Sequence, residues 1–378
     1  MNGSPAKNVY DVIVIGMGPI GYTVADRARA AGLSVAAVER ELVGGECSYW
    51  ACIPSKAMLR PVVAVADARR VAGARQAVTG PVDAPAVFAR RDRYVADWND
   101  EGRAAGLKSP GAELIRGHGR LDGPRRVTVE TPGGATVTLT ARHAVVICTG
   151  SRAALPELAG LAEVRPWTNR QATDARAVPG RLAIVGGGGV GVEMASAWAG
   201  LGAAVTLMAQ ADGLLPRMEP FAGELVGRAL ADAGVDVRIG VTVTGVRRPG
   251  GTGPVTVTLE GGELEADEVL FATGRRPLTD DVGLETVGLE PGSCLEVDDT
   301  CLVRALQDGW LYALGDVNRH ALLTHQGKYQ ARIAARRLPR AQPGSRWTPP
   351  RGGPTRSPPT TARCRRCSSA IPRPGWSA

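Results

Sequence analysis

The chain has 378 residues, 44% of them apolar, with 45 Lys and Arg against 37 Asp and Glu, enough for about two or three domains with their own cores. No uncharged apolar run approaches the roughly 18 residues of a membrane span. The polar Met1–Tyr10 leads straight into a strand-like run, which argues against a cleaved signal peptide and for a cytosolic chain with no membrane partner. The net charge of +8 does not indicate a nucleic-acid partner: eight arginines and no acid or lysine lie between Leu338 and Ala378, and without them 37 basic residues face 37 acidic ones.

The first elements are a short apolar strand, Asp11 to Ile15, the glycines Gly16, Gly18 and Gly21 in GxGxxG spacing, an Ala-rich helix to Ala31, and a second strand, Ser34 to Val38, closing on Glu39. In such a βαβ unit one glycine makes the tight turn, one lets a pyrophosphate approach the backbone, and one packs helix on strand. The pyrophosphate then lies at the helix N-terminus, where free N–H groups and the helix dipole favour an anion. Glu39, 18 residues after Gly21, stands where an acid accepts hydrogen bonds from a ribose. The alternative is a tight turn that binds nothing; strand, glycines, helix, strand and acid in register weigh against it.

The next segment runs GGECSYWACIPSK from Gly44 to Lys56. Cys47 and Cys52, with four residues between them, can close a short disulfide loop. Beside a helix start and a lysine, such a loop favours a low-pKa thiolate and an exchangeable bond. Two buried thiols or part of a metal site remain as alternatives. A metal would need two further ligands at suitable spacing, and none lies nearby, so no metal is expected.

The βαβ pattern then repeats. Arg181 to Val185 is a strand, Gly186, Gly188 and Gly191 complete a second GxGxxG, Met194 to Gly200 continues the helix, and Val205 to Met208 is the next strand. Here the acid is missing, since the strand runs into Ala209 and Gln210. An acid at that point would repel a 2′-phosphate, so its absence favours NADPH, with Arg217 as either a phosphate contact or a solvated loop arginine. Two dinucleotide units in one chain point to a resident flavin and a visiting nicotinamide. Val127–Thr140 and Val255–Glu265 read as strand-rich hairpins.

With these motifs the chain resembles the class I pyridine nucleotide–disulfide oxidoreductases, the family of dihydrolipoamide dehydrogenase, glutathione reductase and mercuric reductase. GGxCxxxxCxPSK is similar to their active-site segment, and the likeness runs from about residue 9 to about 337. VVICTGS ending at Ser151 resembles a flavin-contact segment, FATGRRP ending at Pro277 the turn closing the nicotinamide domain, LYALGDV ending at Val317 the segment whose Asp meets the ribityl chain, and LLTHQG ending at Gly327 the helix start beneath the flavin. The resemblance implies FAD and NAD(P)H as cofactors. It implies that Cys52 faces the flavin ring, that Cys47 attacks a disulfide or metal-ion substrate, and that Lys56 lies near the ring and pairs with Glu193. It places Gly16, Gly18, Gly21, Glu39, Arg40, Gly45, Lys56, Gly119, Thr149, Gly150, Ser151, Gly315, Asp316 and Thr324 at FAD. It places Gly186, Gly188, Gly191, Gln210, Val243, Gly274 and Arg275 at NAD(P). Glu46 and Ser48-Tyr49-Trp50-Ala51 depart from the better-known members and set an aromatic ring beside the cysteines, so no relative's substrate carries over.

The implied architecture is α/β: two Rossmann-like FAD- and NAD(P)-binding domains, open parallel sheets with three-stranded antiparallel pieces. Residues 1–155 and 276–337 would be the FAD domain and 156–275 the NAD(P) domain. Cys148 reads as core, and Cys294 and Cys301 as incidental. The family continues into a dimer-forming domain with a His–Glu pair, whereas here the histidines are His118, His143, His320 and His325. Residues 338–378, rich in Pro and Arg, read as a disordered tail, and Cys364 and Cys367 as at most half a zinc site. Read two bases later with GC-rich codons, Pro354 to Ala378 yields HAVAADHGPVPQVLFSDPETGLVG, which resembles the start of that domain. A reading-frame change near Leu338 is therefore expected, with a homodimer for the family but its interface domain missing here. The competing functions are a disulfide or metal-ion reductase, a nucleotide-binding flavoprotein with little or no reductase activity, and a nucleic-acid binder acting through its basic tail.

Overall fold

The computed structural model describes residues 8–107 and 111–338. The expectations for Pro339–Ala378, namely disorder, a changed reading frame and the Cys364/Cys367 pair, lie outside the described residues. Contacts divide the chain into two compact units: one holds residues up to Tyr49, Trp98–Arg152 and those from Arg276, the other Trp50–Asp97 and Ala153–Arg275.

In the first unit Val9–Ile15 lies between Val35–Glu39 and Thr136–Ile147, parallel to both, with Ala112–Arg116 beyond Val35–Glu39. Leu311–Ala313 also pairs parallel with Thr136–Ile147. Strands covered on both faces lose the polar alternation of a half-exposed sheet, and Val12, Ile13, Val14 and Ile15 are all buried. One face packs Val12 and Val14 with Val24, Ala28, Ala331 and Ala334, from the helices Pro19–Ala30 and Thr324–Arg337. The opposite face packs Ile13 and Ile15 with Leu284, Val297, Trp310 and Val317. Arg126–Glu130 and His118–Leu121 continue the sheet antiparallel.

The second unit is built on a four-stranded parallel sheet in the order Asp236–Ile239, Ala204–Ala209, Arg181–Val185, Glu268–Phe271. Val243–Arg247, Val255–Leu259 and Gly262–Ala266 form a separate antiparallel sheet. Trp198, fully buried on the helix Gly189–Gly200, stands between Phe88 and Trp167 at 6.0 and 5.5 Å between ring centroids. The helices Cys52–Arg70 and Ala84–Tyr94 join this core through Met58, Leu59, Val87 and Phe88. Their apolar side chains have this core as partner, and residues 50–97 fall by contacts in this second unit.

Candidate functional site

The two glycine turns have the same construction. Gly16 has φ +94°, and a Cβ there would stand 2.5 Å from the Cys148 carbonyl oxygen; at Gly186 the values are +120° and 2.5 Å from the Ala272 oxygen. Both positions therefore need glycine for backbone angle and for space. A Cβ on Gly21 or Gly191 would lie 1.9 Å from the carbonyl oxygen of Gly16 or Gly186, so each third glycine lets its helix close on its strand. Gly18 and Gly188, the residues before the helices Pro19–Ala30 and Gly189–Gly200, are different: a Cβ would meet nothing within 4 Å. Open space over exposed N–H groups at the start of a 12-residue helix fits a dinucleotide pyrophosphate at both turns.

Around the first turn, Glu39 is 8% exposed. Its carboxylate accepts from Met17 N at 2.7 Å and from Glu41 N at 2.8 Å. Burial pushes its pKa up, opposed by these two backbone bonds. Gly45, φ +58°, closes on Gly18, whose Cα would be 2.8 Å from an added Cβ. Ser151 donates its hydroxyl to the Asp316 carboxylate, and Thr149 donates to Leu278 O at 2.6 Å. Gly150 and Gly315 sit at φ +75° and +77°, and Gly315 N donates to Gln330 Oε1 at 2.8 Å. Thr324 begins its helix and donates its hydroxyl to Cys47 Sγ at 3.2 Å, with Cys47 in the short helix Gly45–Tyr49. Gly119 is a packing position, where a Cβ would come within 2.9 Å of Val38 Cγ1. Arg40 is exposed.

In the second unit, Cys52 is the first residue of the 19-residue helix Cys52–Arg70. One turn on, Lys56 Nζ donates to both oxygens of Glu193 at 2.8 and 2.7 Å, and Ser55 Oγ lies 3.4 Å from the same carboxylate. The Lys56–Glu193 pair is partly exposed, so it adds at most about 1 kcal/mol to stability; its value lies in fixing the ammonium. The two helices approach closely at Gly200, where a Cβ would stand 2.1 Å from Val62 Cγ1. Gln210 is exposed just beyond Ala204–Ala209, Arg217 is exposed, and Val243 is half-buried at the start of its strand. Gly274 has φ +135°, and Arg275 Nη1 donates to Asn169 Oδ1 at 3.2 Å.

The family model for the pyridine nucleotide-disulphide oxidoreductases matches residues 10–337. The chain belongs to that family. It is 31% identical over 330 residues to a mercuric reductase of Staphylococcus aureus, covering 86% of this chain and 59% of that protein. Against dihydrolipoyl dehydrogenase 3 of Pseudomonas aeruginosa it is 34% identical over 338 residues, 87% of this chain and 71% of the relative. Among solved structures it superposes with a TM-score of 0.77 at 25% identity on the Cu(II) complex of the HOCl-induced flavoprotein disulfide reductase RclA from Escherichia coli, covering 88% of this chain and 71% of that one. FAD, with NAD(P)H as electron donor, is the cofactor set of this family. The open Gly18 and Gly188 cradles agree with it.

Several contacts escaped the sequence reading. Gln330 anchors the Gly315 turn. Asn169 donates to the Trp50 carbonyl, and Thr173 donates back to Asn169 O. Cys301, expected to be incidental, is 3% exposed in the same core as Cys148. Burial pushes the Cys301 thiol up to about 12 and the Cys148 thiol well above its ordinary range. Among the described residues no helix is long and apolar enough to cross a membrane.

Proposed function

We propose that the protein is an NAD(P)H-dependent disulfide oxidoreductase whose exchanging bond joins Cys47 and Cys52. FAD, when bound, supplies the two-electron link between a nicotinamide and a disulfide. The chain's own groups bind and orient. The Gly16–Gly21 turn and the N-terminus of Pro19–Ala30 hold the flavin pyrophosphate, with Asp316 at the ribityl chain; the Gly186–Gly191 turn holds that of the nicotinamide. Lys56, steadied by Glu193, holds a fixed positive charge one helical turn after Cys52. Cys52 at a helix start and Cys47 beside the Thr324 hydroxyl sit in surroundings that favour thiolate. Thiolate at Cys47 attacks a substrate disulfide, forming a mixed disulfide and expelling one substrate thiolate; Cys52 thiolate then attacks the Cys47 sulfur, closing the bond between residues 47 and 52 and expelling the other substrate thiolate.

The observation that carries this reading is the two-cysteine segment lying between two dinucleotide turns of one construction. The missing acid at Gln210 favours NADPH over NADH. The names of the relatives point to disulfides or mercuric ion as acceptors, and Trp50 beside the cysteines argues against copying either unchanged. Stoichiometric NADPH added anaerobically to the flavin-loaded protein should release two thiols, located by alkylation and mass spectrometry at positions 47 and 52. If labelling at those positions does not rise, the reading is wrong.

A further inference from the structure

Asn169, 7% exposed, opens the helix Asn169–Asp174 and uses both ends of its carboxamide. Nδ2 donates to the Trp50 carbonyl at 2.7 Å and Oδ1 accepts from Arg275 Nη1 at 3.2 Å. Thr173, 1% exposed, donates its single hydroxyl proton to Asn169 O at 2.8 Å and so closes the turn that carries Asn169, with the Trp50 carbonyl 3.2 Å away. The Arg170 guanidinium lies 4.1 Å from the centre of the Trp50 ring, an attractive cation–π placement. One short helix therefore grips both the carbonyl and the ring of Trp50.

A carboxamide can turn either way, and its partners decide. A guanidinium only donates, so Arg275 takes the oxygen and leaves the NH₂ group for Trp50, whose carbonyl only accepts. That carbonyl belongs to the planar peptide joining Trp50 to Ala51. Ala51, at φ −139° and ψ −99°, is the non-helical residue before Cys52. Hydrogen bonds to the Trp50 carbonyl thus set the plane in which the chain enters the Cys52 helix.

We propose that Asn169 is a positioning residue for the thiol pair: through the Trp50 carbonyl it holds the loop between Cys47 and Cys52 in the conformation that favours their disulfide. The proposal rests on the reading of these cysteines as a redox couple. A held loop raises the effective concentration of one sulfur at the other and so favours the bond; a released loop favours the dithiol. The exchange to be measured uses glutathione. Two glutathione thiols lose two electrons and two protons as their sulfurs join, while the bond between Cys47 and Cys52 breaks and each sulfur gains an electron and a proton.

Full-length, flavin-loaded protein is equilibrated anaerobically in glutathione buffers of graded redox ratio and quenched with acid. Thiols at 47 and 52 are then counted by mass-tagged alkylation. Asn169→Ala should shift the balance about tenfold toward the dithiol, or about 30 mV for a two-electron couple. Asn169→Asp keeps an acceptor for Arg275 but has no proton to give the Trp50 carbonyl, and it should shift the balance the same way, by at least about threefold. Gln171→Ala is the structural control: it removes the acceptor for Thr168 N, 2.9 Å away, and loosens the same helix without a hydrogen bond to Trp50. It should lower Tm and leave the balance unchanged. If Asn169→Ala does not fold, Asn169→Asp decides by the same comparison. A parent protein with no exchangeable bond between 47 and 52 removes the redox reading and the positioning role together. An intact parent couple with Asn169→Ala within about twofold of it, or with Gln171→Ala shifting as far as Asn169→Ala, overturns the positioning role alone.

Discussion

Gly18 and Gly188 differ from Gly16 and Gly186 in a way that mutation can read. At Gly188 the backbone is extended, at φ −79° and ψ −179°, and a Cβ would meet no atom within 4 Å. Gly188→Ala should therefore leave Tm and flavin content unchanged while weakening nicotinamide binding about tenfold or more, measured by equilibrium titration. Gly16→Ala meets both a left-handed backbone and a carbonyl oxygen at 2.5 Å; it should cost about 1–3 kcal/mol and lose flavin on gel filtration. The buried thiols give a second residue-scale prediction. Thiolate is the reactive form, so a pKa raised to about 12 leaves Cys301 roughly one part in ten thousand thiolate at pH 8, rising about tenfold per pH unit below that value. Iodoacetamide at pH 8 should label reduced Cys47 and Cys52 within minutes and spare Cys148 and Cys301 until the protein is unfolded. Fast labelling of the buried pair in the native protein would contradict the packing described for them.

At the scale of elements, the helix Gly189–Gly200 carries two separable tasks. Its Trp198 fills the core between Phe88 and Trp167, and Trp198→Ala should lower stability by about 3–5 kcal/mol in a urea melt. Its Glu193 holds Lys56; Glu193→Gln should change stability by less than about 1 kcal/mol yet slow NADPH-driven release of the two thiols at least tenfold. The turns and this pair were legible in the sequence because glycine spacing encodes local geometry and because the family resemblance named the partners. Asn169, Thr173 and Gln330 were not. Asn169 and Trp50 are 119 residues apart, and nothing in the local pattern around Asn169, a polar residue opening a short helix, reveals that its side chain is buried and paired at both ends. For the same reason the helix Cys52–Arg70 shows in its sequence an apolar face but not that Trp198 and its neighbours cover it.

For the whole molecule, the chain spans 59% of the mercuric reductase and 71% of the dihydrolipoyl dehydrogenase that it matches. The central claim is that thiols at 47 and 52 exchange electrons with a flavin held by the Gly16 turn. Anaerobic NADPH titration followed by absorbance tests it most directly. The parent protein should develop a long-wavelength band that is missing in Cys52→Ser; a purified protein that retains no flavin, or one whose band survives in Cys52→Ser, would contradict the account.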